Sequence, residues 1–211
     1  MSRVSKLSYL LPLLLVLAAA ARPAHGEEIA IGATAPAFEL RGTDGKMHTL
    51  ADITSAHGDA AAPKATVVVF TCNHCPYAKA YEPVLIDLAK KYAERGVAWV
   101  LINPNDPEIQ PEDAFDKMVE RAKEKGYPFP YVIDTTQSIA KAYGATVTPH
   151  VFLLDPERNV RYRGRINDNK DPAKAETHDL VDAIEAVLAD REVATTATKA
   201  FGCTIKWKKS S

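Results

Sequence analysis

Two thiols, Cys72 and Cys75, stand in Val67-Val-Val-Phe-Thr-Cys-Asn-His-Cys-Pro-Tyr77, where a continuous apolar run gives way to a helical pattern. Cysteines at i and i+3 on a first helical turn can close a disulfide with little backbone movement. A helix N-terminus carries partial positive charge, which favours a thiolate at its mouth. The chemistry this suggests is reversible exchange, with Cys72 as a low-pKa attacking thiol pointing at solvent and Cys75 as its resolving partner. His74, just before the second cysteine, adds an imidazole that can help hold the charge. A permanent staple is the competing reading, but so short a loop gains little chain entropy from closure. Cys203 lies far away in sequence and suggests burial, intermolecular pairing or a third redox partner.

The elements that must carry these thiols follow from the apolar pattern. Val67 to Phe70 has the composition of a buried strand, and Val84, Leu85, Leu88, Ala89 and Tyr92 recur at helical spacing until Gly96. Pro83 falls inside that helix and is expected to kink it, because it lacks the N–H for the preceding turn. Val97 to Ile102 is a second apolar strand. Pro111 is expected to open a helix with Ala114, Phe115, Met118, Val119 and Ala122 on one face, closed by Gly126. Tyr131 to Ile133 reads as extended, with a short helix over 139–143 behind it. Val151 to Leu154 is a third strand, Asp155-Pro156 a turn, and Val160 to Ile166 alternates strictly. Leu180, Val181, Ile184, Val187 and Leu188 line a last helix. Ahead of all these, Glu27 to Leu50 reads as a β-hairpin around Asp44-Gly45, and 54–64 as a loop. This order predicts an α/β fold, a central mixed β-sheet flanked by helices, with an N-terminal β-hairpin. The pattern leaves the tail, 191–211, unplaced.

Residues 1–26 read as an export signal peptide. Arg3 and Lys6 precede an apolar run of 13 residues, Tyr9 to Ala21, and Ala24-His25-Gly26 offers the small residues a signal peptidase needs. The run is shorter than the roughly 20 residues of a membrane-spanning helix, so an exported, periplasmic or extracytoplasmic protein without a span is expected. The remaining chain is of single-domain length, with a domain over 27–190, of which 27–62 forms the hairpin and loop. The formal net charge of −1 becomes more negative once Arg3, Lys6 and Arg22 leave with the leader, which gives no electrostatic reason for a nucleic-acid partner. With only three cysteines the chain is not a disulfide-stapled scaffold, and a close pair in an oxidising compartment points to chemistry.

Phe70-Thr-Cys-Asn-His-Cys-Pro76 after a strand, Ala145-Thr-Val-Thr-Pro-His150 before another, and Pro36-x-Phe-x-Leu40 with Asp44-Gly45 resemble the thioredoxin superfamily. Its redoxin branch, named after alkyl hydroperoxide reductase and thiol-specific antioxidant, is the best match, over essentially all of 27–211. The resemblance implies a thioredoxin-like fold and a thiol–disulfide oxidoreductase with no bound cofactor. Its partners would be protein thiols or disulfides and a regenerating redox protein, and it would act as a monomer. It also implies a cis Thr148–Pro149 loop facing the dithiol, with the Thr148 backbone free to pair with an extended substrate segment. His74 matches a position that carries His in exported oxidants and isomerases. The ending Gly-Cys-Thr-Ile-Lys-Trp207 is similar to a tail in one exported group of redoxins, which leaves Cys203 a place near the site.

Two rivals share these residues. A thiol peroxidase of this branch would carry Pro-x-x-x-Thr-x-x-Cys, but the residue three before Cys72 is Val69 and that before Cys75 is Cys72; Thr71 is adjacent to Cys72. A copper or zinc module could draw on Cys72, Cys75, His74 and either His150 or Cys203. Copper-delivery relatives space their cysteines one residue wider, so no metal site is expected. His150 is expected to point away from the sulfurs. Arg161, Arg163 and Arg165 share one strand face and fit either an anionic partner or, better, an exposed edge guarded by charge.

Overall fold

The structure, a computed structural model, describes residues 27–55 and 61–209. The expected leader, 1–26, and part of the 54–64 loop lie outside the described residues. Among those described, no helix is long and apolar enough to cross a membrane.

The strands are β1 (Glu39–Gly42), β2 (Met47–Thr49), β3 (Ala65–Phe70), β4 (Val97–Asn103), β5 (Tyr131–Ile133), β6 (Val147–Thr148), β7 (His150–Leu154), β8 (Val160–Gly164) and β9 (Cys203–Thr204). The helices are α1 (Leu50–Ile53), α2 (Pro76–Ala93), α3 (Phe115–Lys125), α4 (Ser138–Tyr143) and α5 (Asp179–Leu188). Seven strands form one mixed sheet in the order β2-β1-β5-β4-β3-β7-β8, while β6 and β9 pair separately. β3 runs parallel to β4 and antiparallel to β7. It is buried along its whole length because its side chains feed two cores in alternation. Val67 and Val69 pack with Tyr81, Leu85 and Tyr92 of α2 and Leu180 and Ile184 of α5. Val68 and Phe70 pack with Leu50, Tyr143 and Phe152 on the other face.

The expected hairpin is present, with Gly45 at φ +82° in the turn between β1 and β2. α1 is capped by Thr49, whose side-chain oxygen accepts the Asp52 N–H. α2 begins with Pro76 and runs as one element through Pro83. Pro111 opens only a 3-10 turn, Pro111–Asp113, and not the helix expected of it. Ala114 is extended there, at ψ 150°, and α3 starts at Phe115, ending at left-handed Gly126 as expected. That break turns Asp113 inward, fully buried.

β8 is an edge strand by sheet order, but the edge is not open. Arg163 N–H donates to Thr196 O at 3.0 Å and Thr198 N–H to Arg163 O at 3.0 Å, so the start of the tail lies along it. The three arginines are each paired, with Asp155 (3.7 Å), Glu28 (2.8 Å) and Asp179 (2.8 Å) respectively. They tie the edge strand to neighbouring segments; they neither guard a free edge nor stand ready for an anion.

Candidate active site

β3 delivers Cys72 and α2 delivers Cys75 because the apolar strand ends at Phe70 and Pro76 is suited to a first helical position. Cys75 is the N-cap residue of α2, and Cys72 lies in the connection before it. Cys72 is 4% exposed and Cys75 0%, which corrects the expectation of a solvent-facing Cys72. Tyr77 and Cys203 pack against the pair, with Ala78 completing the cluster.

The bond before Pro149 is cis, as the resemblance implied. The loop meets both thiols: Cys72 Sγ lies 3.1 Å from Thr148 Oγ1, and Cys75 Sγ lies 3.2 Å from the Thr148 carbonyl oxygen. His150 does point away. It is fully buried, stacked on Phe152 at 4.7 Å, and neither ring nitrogen has a hydrogen-bond partner among the described residues.

The two amides that follow Cys72 serve a carboxylate. Asn73 N–H and His74 N–H donate to Asp113 Oδ1 at 2.6 and 3.3 Å. Asp113 Oδ2 lies 2.6 Å from His74 Nδ1 and accepts from Asn105 Nδ2 at 2.8 Å. Tyr131 OH holds Asn73 Oδ1 at 3.0 Å, and Asn73 Nδ2 donates to Glu112 O at 2.9 Å. His74 is thus oriented from behind by a buried anion, and its ring stays beside Cys72. Cys72 Sγ, a His74 ring nitrogen and an Asp113 oxygen all lie within 4.8 Å of one another. Sequence reasoning missed Asp113, Asn105 and Asn73; the one available signal was an acid closing a proline-led turn.

The two thiols titrate as a pair. The interaction between the two sulfurs pushes Cys72 up and Cys75 down, while burial opposes charge at both. The negative charge of Asp113 adds to the rise at Cys72, and Thr148 opposes it. The Thr148 carbonyl beside Cys75 can only accept, and so favours a proton on that sulfur. One shared proton satisfies these demands: the first ionisation of the pair is low and the second, a double charge in a dry site, is high. The expectation of Cys72 alone as a low-pKa thiol at the helix mouth is replaced by this coupled pair.

Among the described residues, Cys72, His74 and Asp113 are also the side chains that could together meet a metal ion. Both Asp113 oxygens already accept hydrogen bonds, so an ion would have to displace His74 or Asn105.

Fold and site together define a thioredoxin-like α/β domain with a dithiol at the strand–helix junction, closed by a cis-proline loop. The AhpC/TSA family model matches residues 31–163, and the chain belongs to that family. Among curated proteins it is similar to the thiol-disulfide oxidoreductase ResA of Geobacillus thermodenitrificans, 29% identical over 133 residues (63% of this chain, 68% of that protein). ResA of Bacillus subtilis is 28% identical over 134 residues, 64% of this chain and 66% of its own length. Among solved structures, an uncharacterized conserved protein from Geobacillus kaustophilus is 37% identical with a TM-score of 0.80, covering 89% of this chain and 97% of its own. A hypothetical protein from Sinorhizobium meliloti 1021 is 36% identical with a TM-score of 0.79, over 88% and 99%. A thiol:disulfide interchange protein of Chlorobium tepidum, at 21% identity and TM-score 0.55 over 76% and 99%, shares the fold.

Proposed function

We propose that this thiol–disulfide oxidoreductase acts outside the cytoplasm, after loss of residues 1–26, through Cys72 and Cys75. The observation that carries the reading is that both sulfurs meet one residue, Thr148, and pack together beside it, with free thiols at both positions. The Cys72 thiolate attacks one sulfur of a substrate disulfide, and the other sulfur leaves as a thiolate. Cys75 then attacks the Cys72 sulfur, freeing the second substrate thiolate and leaving a Cys72–Cys75 disulfide. The substrate gains two electrons and the pair loses two; a protein dithiol run through the same steps in reverse is oxidised. Thr148 Oγ1 steadies charge on Cys72, and His74, held by Asp113, sets the local field. The partners in this reading are protein thiols or disulfides and a separate redox protein that regenerates the pair.

The test is turnover of a protein disulfide by the purified protein with a thiol reductant, beside the Cys72→Ser chain. The reading expects catalysis by the wild type and none by Cys72→Ser. Equal rates for the two would remove it. The reduction potential then assigns direction: a value near about −270 mV marks a reductant and one near about −120 mV an oxidant.

A further inference from the structure

The tail occupies a place that the chemistry of the site reserves for something else. β9 pairs antiparallel with β6, placing Cys203 opposite Thr148 and Thr204 opposite Val147. Ile205 N–H continues the pairing to Thr146 O at 3.2 Å. Extended backbone beside Thr148, with a cysteine at the sulfurs, is the arrangement a substrate segment would make there. Here the chain's own tail makes it, and the Cys203 side chain packs against the Cys72–Cys75–Ala78 cluster.

The tail is fastened at several points along its length. A Cβ at Gly202 would lie 2.1 Å from the Thr148 carbonyl oxygen, so only glycine allows this approach. Lys206 N–H donates to Asn105 Oδ1 at 2.8 Å, linking the tail to the residue that holds Asp113. Gln137 Nε2 donates to Lys206 O at 2.8 Å, and Lys208 N–H to Gln137 Oε1 at 2.8 Å. Cys203 is only partly buried, so it is the thiol of the three most open to solvent.

We infer that Cys203 is a third redox cysteine of this centre, which takes Cys75 as its disulfide partner while β9 lies against Thr148. The inference rests on the dithiol reading above. The Cys203 thiolate attacks Cys75 of the Cys72–Cys75 disulfide; the new bond joins Cys75 to Cys203, and the electron pair leaves on Cys72. Cys72 takes up the proton that Cys203 lost, and no net oxidation occurs. The centre is then oxidised, yet its attacking thiol is free.

The test uses the Cys72→Ser chain equilibrated with oxidised glutathione, acid-quenched, alkylated and mapped by mass spectrometry. Glutathione disulfide supplies the oxidant: two protein thiols become one disulfide and two glutathione thiols are released. A monomer carrying a Cys75–Cys203 linkage in most molecules is the expected result, with the same linkage as a measurable fraction of the oxidised wild type. Two free thiols, or glutathione adducts that never resolve into that linkage, together with its absence from the wild type, overturn the inference. The Cys203→Ser chain separates the two readings. If it forms Cys72–Cys75 normally, the dithiol centre stands whatever the first result; if it cannot, the dithiol reading fails and the inference with it.

Discussion

Replacing Asp113 by Asn changes one atom and removes the buried charge behind the site. Asp113 accepts four hydrogen bonds, from Asn73 N, His74 N, Asn105 Nδ2 and His74 Nδ1 where that nitrogen is protonated. An amide whose oxygen keeps the two backbone donors must aim its NH2 at Asn105 Nδ2, also a donor. Leaving buried donors unpaired costs about 1–3 kcal/mol, and losing a charge-assisted bond raises the expected cost to about 3 kcal/mol. The charge also acts on the thiols. Within 4.8 Å and at an effective dielectric of about 20, a unit charge on Asp113 opposes one on Cys72 by about 3 kcal/mol or more. The His74 ring partly screens it, so about one pKa unit is expected at the thiols. Asp113→Asn therefore lowers the first ionisation of the pair by about one unit and raises its potential by about 30 mV, because a steadier thiolate makes the disulfide easier to reduce. Urea unfolding at neutral pH measures the first effect, and the pH dependence of alkylation rate measures the second. Wild-type stability together with an unchanged or higher thiol pKa would refute this account of the network.

Three further outcomes follow from other residues. Gly202→Ala places its methyl against the Thr148 carbonyl and should lift β9, making Cys203 react with a thiol reagent at least tenfold faster; an unchanged rate contradicts the pairing. Burial, with help from Arg163, lowers His150 to about 4. The unfolded chain then binds a proton that the folded one refuses, so stability is full above about pH 6.5 and falls by up to about 3 kcal/mol as pH drops through 4. Arg163 and Glu28 are the charged groups beside that ring, and a His150→Phe chain should lose this part of the acid slope in urea titrations. Phe70→Ala should cost about 3–5 kcal/mol, since the ring is fully buried edge-on to Tyr143 and Phe152, and calorimetry or urea unfolding would show it.

What the sequence made legible was whatever repeats with a period or breaks one. The unbroken Val67 to Phe70 run marked a strand buried on both faces, and Asp44-Gly45 marked the hairpin. The C-x-x-C with Thr148-Pro149 marked both halves of the site, though the facing of the loop came from resemblance. Asp113 stayed hidden because an acid after Pro111 is what an ordinary helix start shows; that its side chain turns inward depends on a three-residue 3-10 turn and the extended Ala114. The tail stayed hidden for a different reason. β9 is two residues long, too short for an alternation to register, and its partner lies on the far side of α5 in sequence. Gly202 was its one local sign, since a glycine beside a cysteine admits another backbone closely.

Trapping the mixed disulfide distinguishes attack by Cys72 from attack by Cys75. The Cys75→Ser chain, mixed with disulfide-bearing protein substrates and resolved without reductant, should accumulate covalent adducts joined through Cys72, while Cys72→Ser should accumulate none through Cys75. Adducts of equal yield in both chains, or none in the first, would contradict the assignment of attack to Cys72 and resolution to Cys75.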